Sequence, residues 1–144
     1  MKVRVLRLAS IVSVLVLAGC SGIEPGKSPS TQFTVPLTLQ ETYDRAMAQT
    51  RYCLITEDRL PSSGTVQASG QSAQIQVMLK LTRTVVAQVD MKSLNAQSTQ
   101  VDVQMWGANV WDQTAADAMR AAIEYGVPSC TNYFPTAKSD RKKR

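Results

Sequence analysis

The fold of this chain is decided by residues 100–105, which read QVDVQM. Polar and apolar side chains alternate strictly here, as they do in a β-strand with one buried face and one wet face. Two earlier segments alternate in the same way, with apolar residues at Ile75, Val77, Leu79 and Leu81 and at Val85, Ala87, Val89 and Met91. A shorter run lies near residues 65–69, and polar connections such as residues 93–97 join the segments. We therefore predict an antiparallel meander of three to four strands, with Val86 on the wet side.

A helical pattern precedes the strands. Thr38 and Glu41 have the spacing of a capping box, which marks a helix N-terminus. Apolar or small side chains then recur three and four residues apart, at Leu39, Tyr43, Ala46, Met47 and Thr50. This spacing predicts an amphipathic helix of about fourteen residues that ends near Cys53, with Arg45 and Gln49 away from its core face.

A second helical pattern follows the strands. Asp112 is a suitable N-cap, residues 113–125 are rich in alanine, and Gly126 and Pro128 stop the helix. The predicted order is therefore α-β-β-β-β-α. We expect an α+β fold of two layers, in which both helices pack on one face of the antiparallel sheet.

The N-terminus has the pattern of a secretory signal peptide. Lys2, Arg4 and Arg7 form a basic head, and an apolar run from residue 8 to residue 19 ends in small residues. The run is shorter than the roughly 20 residues that a spanning helix needs. We assign residues 1–19 to a signal peptide that is absent from the mature chain.

The end of this signal, Leu17-Ala18-Gly19-Cys20, resembles the lipobox of bacterial lipoproteins. The resemblance implies cleavage before Cys20, a diacylglyceryl thioether on its sulfur and acylation, such as with palmitate, of the new amino group. Ser21 resembles the sorting residue that directs enterobacterial lipoproteins to the outer membrane, on its periplasmic face; the inner membrane is the alternative under other sorting rules. An ordinary secretory signal that happens to include a cysteine is the competing interpretation.

The mature chain divides into three parts. Residues 20–36 are rich in Ser, Gly and Pro, and we predict a lipidated N-terminus followed by a flexible tether. Residues 37–134 form the α+β domain, and residues 135–144 are a basic C-terminal tail. That tail could bind anionic lipid near the anchor or simply remain solvated.

The distribution of charge argues against a nucleic-acid partner. The whole chain has a formal charge of +5, but three basic residues belong to the signal peptide and five of the rest fall in residues 138–144. The body between them is mildly acidic. A nucleic-acid binder gathers basic residues on a face of its domain, and this pattern is missing.

Cysteine usage predicts one disulfide. With Cys20 committed to lipid by the lipobox resemblance, Cys53 and Cys130 remain as an even pair in an oxidising compartment. We expect them to be bonded; two unrelated buried thiols are the alternative.

No residue pattern predicts catalysis, a metal or a cofactor. The chain contains no histidine, which removes Cys-His and Ser-His nucleophile pairs and the commonest metal ligand. Its acidic residues lack the dense spacing of a calcium loop, and no glycine-rich phosphate loop is present. We predict that the protein is not an enzyme, although a site whose residues meet only in space is not visible in a sequence.

A recognition surface is predicted on the wet face of the sheet. Its candidate residues are Gln76, Met78, Gln88, Gln104 and Trp106. Trp106 has the parity of Gln104, so a regular strand would expose its indole among amides, where peptides or glycans bind well. Alternatively, a bulge at Gly107 turns Trp106 inward, or Trp111 and loop residues cover it.

The element order resembles the small two-layer domains of several envelope lipoproteins, including outer-membrane assembly lipoproteins. Gln40-Glu41-x-Tyr43-x-Arg45 followed by Cys53 also resembles a group of short proteobacterial lipoproteins. We expect a membrane-anchored, non-enzymatic module that binds or helps to assemble an envelope protein or cell-wall partner. The alternative is a periplasmic inhibitor of a cell-wall hydrolase that presents residues 60–64 to an active site.

Overall fold

The structure, a computed structural model, describes residues 22–56, 59–62 and 70–130. In chain order the elements are β1 Ser30–Val35, α1 Leu39–Gln49, β2 Arg59–Ser62, β3 Ser72–Leu79, β4 Val85–Asn95, β5 Ser98–Met105 and α2 Gln113–Tyr125. A π-helical segment, Thr50–Leu54, extends α1. The predicted signal peptide, Cys20, the run near residues 65–69 and the basic tail lie outside the described residues.

The predicted α+β class is confirmed. The strands form one antiparallel sheet in the order β1-β5-β4-β3-β2, and the two helices form the second layer. One continuous core lies between the layers, and it includes Val89 and Val103 from the sheet, Ala46 from α1 and Ile123 from α2. The inward residues of β5, from Thr99 to Met105, are completely buried, as the alternation in residues 100–105 predicts.

The sheet has a strand that the sequence analysis assigned to the flexible tether. β1 pairs with β5 over its whole length, with Phe33 opposite Val101 and Val35 opposite Thr99. Phe33 and Val35 are buried in the core. The tether prediction is therefore wrong for residues 30–35, and the sheet has five strands. Two apolar residues are a weak local signal, and they form a strand because the edge of β5 offers hydrogen bonds and a core to cover.

The ends of two strands also differ from the prediction. β3 ends at Leu79, where the backbone N–H of Leu79 donates to the carbonyl of Thr84 at 2.9 Å and the chain turns back. Leu81, predicted to face the core, is 96% exposed. At the other end of the sheet, β4 continues to Asn95 through part of the predicted connection.

An irregularity in strand pairing next to the β3–β4 turn changes which residues are buried. The pairing of β3 with β4 shifts register between Val77 and Met78. As a result Val86 and Ala87 are both buried, although strict alternation placed Val86 on the wet side. A bulge inserts an extra residue and reverses the parity beyond it, which a period-two pattern cannot show.

Both helices begin at the predicted caps. The hydroxyl of Thr38 accepts from the N–H of Glu41 at 3.1 Å, and the carboxylate of Asp112 accepts from the N–H of Ala115 at 3.1 Å. Gly126 ends α2 in the left-handed conformation with φ of 72°, which an L side chain adopts at a cost.

The predicted disulfide between Cys53 and Cys130 is confirmed. The two residues are 77 positions apart, and the bond joins the end of the π-helical segment to the chain that leaves α2. Cys53 itself is buried.

Two polar residues of α1 contact the end of α2 and the chain that leaves it. The guanidinium of Arg45 donates to the carbonyls of Ile123 and Glu124 at 3.0 and 3.1 Å, at the C-terminus of α2. The buried amide of Gln49 donates to the carbonyl of Ser129 and accepts from its N–H, both at 2.9 Å. The expectation that both residues lie away from the core face is wrong for Gln49. Arg45, Gln49 and Cys53 are four residues apart, so one stripe of this helix fixes the end of α2 and the chain after it.

Candidate functional site

The open face of the sheet, opposite the helices, carries the candidate site. Every second residue of its strands points away from the core, and the cross-strand register aligns these residues in rows. One row contains Ser30, Gln104, Gln88 and Gln76, and the next contains Gln32, Asp102, Asp90 and Gln74. We call these eight residues the polar face.

Half of the polar face is a connected network. The amide of Gln76 donates to Gln88 Oε1 at 2.8 Å, and the amide of Gln88 donates to Asp90 Oδ2 at 2.6 Å. Gln74 donates to the other oxygen of Asp90 at 2.6 Å. Both carboxylate oxygens of Asp90 therefore have an amide donor, and hydrogen bonds to a charged acceptor are the stronger kind. The network links these four side chains to one another across β3 and β4.

The other half is open to a ligand. Within the described residues, the side chains of Gln32, Asp102 and Gln104 make no hydrogen bond to another protein group. Gln32 and Asp102 line a broad, open depression of about 800 Å³ together with Gln74, Asp90, Lys92 and Gln100, and Gln104 lies outside it. Two carboxylates and several amides on a fixed sheet suit a polar ligand rich in hydrogen-bond donors.

The structure brings together only part of the predicted surface. Gln76, Gln88 and Gln104 are adjacent in one row, as expected. Met78 lies beyond the register shift, opposite Val85, and is not part of the row. Asp90 and Asp102, which are directly opposite each other on β4 and β5, were not among the predicted residues. Their parity with the glutamines is visible in the sequence, but their adjacency depends on the register.

Trp106 is not an exposed aromatic of the polar face. It follows the last residue of β5, is half-buried and packs against the hydrophobic core. The backbone N–H of Trp106 donates to the carbonyl of Val86 at 2.9 Å, and the next residue, Gly107, turns the chain with φ of 89°. The alternative, in which the chain at Gly107 turns Trp106 inward, agrees with these contacts. Glycan stacking on this indole therefore loses its structural basis.

The segment before β1, residues 22–29, borders one end of the polar face. The carbonyl of Pro29 accepts from the N–H of Met105 at 2.8 Å, and the hydroxyl of Ser28 donates to the carbonyl of Trp106 at 3.4 Å. Gly22 lies against Val85 so closely that a Cβ would overlap the carbonyl oxygen of Val85. The tether prediction is thus also wrong for this segment, which packs on the sheet. The residues that it contacts are more than fifty positions away in the sequence, so no local pattern predicts these contacts.

No protein-family model matches this chain, and a search of the curated proteins finds no match.

Two further findings concern metal-binding groups and membrane-spanning helices among the described residues. Within residues 22–56, 59–62 and 70–130, no group of three or more Cys, Asp or Glu side chains is arranged to hold a metal ion. In the same part of the chain, no helix is long and apolar enough to cross a membrane.

Proposed function

We propose that this protein is a lipid-anchored envelope lipoprotein that acts as a non-enzymatic binding or assembly module. The observation that carries the proposal is the polar face, where one half is a hydrogen-bonded network and the other half offers side chains that have no hydrogen-bond partner among the described residues. A broad, open and prearranged array of donors and acceptors favours recognition of an extended polar partner over chemistry on a small substrate. An envelope protein or a cell-wall polymer is the expected partner.

The lipobox resemblance supports the anchor. Residues 17–20 carry a Leu, two small residues and a Cys after a signal-like segment. Lipidation of Cys20 would tie the protein to a membrane, and Ser21 supports the outer membrane, periplasmic face. An anchored module is concentrated in two dimensions, so a weak contact through the polar face would suffice for function.

The alternative of a hydrolase inhibitor gains no support from the structure. Its inhibitory loop was predicted at residues 60–64, but Leu60, Pro61 and Ser62 pair with β3 as part of β2. Residues 63 and 64 lie outside the described residues. A strand paired along its backbone is a poor candidate for a loop that enters an active site.

Photo-crosslinking in cells tests the proposal. A photoreactive residue at Gln104 samples the open half of the polar face, and the same residue at Ala48, exposed on α1, is the matched control. We expect a dominant adduct at position 104 and none of that identity at position 48. Mass spectrometry of the adduct distinguishes a protein partner from a cell-wall fragment.

Two results would contradict the proposal. Equal adducts at positions 104 and 48 in the correctly localised protein would remove the polar face as the binding surface. A mature N-terminus without diacylglyceryl on Cys20, measured by mass spectrometry of the terminal peptide, would remove the anchor.

A further inference from the structure

The turn between β3 and β4, residues 80–84, has an unusual surface composition. Leu81 at its tip is 96% exposed, the highest exposure among the large apolar residues that the structure describes. The charged residues of the turn, Lys80 and Arg83, are both basic and exposed. An apolar tip between cations matches the boundary of a lipid bilayer, where apolar groups enter the acyl region and cations contact anionic headgroups.

The start of the described chain lies at the base of this turn. Gly22 lies against the carbonyl of Val85, and a Cβ at this position would also meet the side chain of Thr84. Only one residue separates Gly22 from Cys20, so their Cα atoms are at most about 7 Å apart. A lipid on Cys20 would therefore enter the membrane close to Lys80, Leu81 and Arg83. The long flexible tether expected from the sequence would instead have let the lipid lie far from this turn.

We propose that the β3–β4 turn is a second membrane contact, in which Leu81 inserts at an anionic bilayer surface and Lys80 and Arg83 contact its headgroups. This inference rests on the proposed lipidation of Cys20. It defines the orientation of the protein on the membrane. The end of the sheet that carries the β3–β4 turn faces the bilayer, and the polar face is directed to the side rather than toward the bilayer and stays accessible. A partner would then reach the polar face without displacing the domain from the bilayer.

The other turn of the same strands provides a matched control. Leu94, near the β4–β5 turn, is 50% exposed, and the antiparallel pairing places it at the opposite end of the sheet. Residues 94–97 carry no charge. A membrane contact made by one turn excludes the same contact by the other.

Depth-dependent fluorescence quenching tests the contact. The mature lipidated chain and its Leu81→Trp and Leu94→Trp variants are reconstituted in vesicles of phosphatidylethanolamine and phosphatidylglycerol that carry brominated acyl chains. The parent signal from Trp106 and Trp111 is subtracted. We expect a loss of fluorescence for Leu81→Trp and none beyond the parent for Leu94→Trp. Both positions are exposed, so neither substitution disturbs the core.

The cations are tested in the Leu81→Trp background. Replacing Lys80 and Arg83 with Gln should reduce the quenching at position 81, because each cation near an anionic surface favours association by about five-fold. Lys92→Gln, an exposed lysine toward the other turn, should leave the quenching unchanged.

The outcomes separate the two proposals. A chain that lacks diacylglyceryl by mass and does not float with vesicles contradicts the proposed anchor, and the second contact falls with it. A chain that is lipidated and floats, but shows equal quenching at positions 81 and 94, overturns only the second contact. If quenching is stronger at position 81 but does not change when Lys80 and Arg83 are replaced, the proposed contact of these cations with the headgroups is overturned.

Discussion

The two faces of the sheet come from the same strands and obey different physical requirements. The face under the helices is made of side chains such as Val101 and Val103, which lose all contact with water. The polar face is made of the residues between them, such as Gln104 and Asp102, which remain partly hydrated. Burial of apolar area stabilises the fold, whereas hydrated amides contribute little. The covered face therefore determines whether the protein folds, whereas the polar face contributes little to stability and is the surface through which we propose that the protein binds its partner.

The largest expected effect breaks the covered face. Val101→Asp places an unpaired carboxylate in the core, and we expect a loss of more than about 4 kcal/mol in the free energy of unfolding. Gln100→Asp makes the same side chain one residue earlier, on the other face and opposite Lys92. Its effect should stay within about 0.5 kcal/mol. Urea unfolding of both variants measures the difference, and similar losses would contradict the contrast between the faces.

The next effect concerns the helix layer that covers the core. The bond between Cys53 and Cys130 closes a long loop, and the Cys53→Ala/Cys130→Ala variant should lose about 2 to 5 kcal/mol of unfolding free energy. Denaturant unfolding of the variant beside the oxidised parent measures it. A loss below about 1 kcal/mol would mean that the hydrogen bonds of Arg45 and Gln49 hold the end of α2 and the chain after it without the disulfide.

A smaller effect comes from the buried amide in the same layer. Gln49→Leu retains most of the side-chain volume but removes both hydrogen bonds to Ser129. We expect a loss of about 1 to 3 kcal/mol, because the backbone groups of Ser129 lose their protein partner. Ala48→Leu, next to it on the exposed side of α1, is the control and should have little effect. Equal stabilities of the two variants would show that the amide is dispensable.

The smallest effect on stability should accompany the largest effect on binding. Asp102→Asn and Gln104→Ala alter the open half of the polar face and should change the unfolding free energy by no more than about 0.5 kcal/mol. Both should reduce the yield of the adduct captured by a photoreactive residue at Gln32, across the strands from Asp102. Full capture by both variants would contradict a role for these side chains in partner binding.

Local patterns predicted much of this architecture because each has a local cause. The caps at Thr38 and Asp112, the stop at Gly126 and the alternation in residues 100–105 all depend on neighbours within a few positions. The polar face was predicted in part for the same reason, since Gln76, Gln88 and Gln104 share the outward parity. Asp90 and Asp102 share that parity but were not named as site residues, because a list of outward residues does not say which of them are adjacent.

The sequence by itself determined the two-layer α+β class, the helix bounds and the pair of cysteines that bond, because periodicity, capping and cysteine number are properties of short segments or of composition. Only the tertiary structure decided that residues 30–35 are a strand, that Gln49 is buried, that Trp106 packs against the core and that Leu81 is exposed. Each of these depends on a distant partner: the edge of β5, the backbone of Ser129, the carbonyl of Val86 and the turn closed by Thr84. The free energy of such a contact depends on two segments that are distant in the sequence. The residues of one segment alone therefore do not predict whether the contact forms.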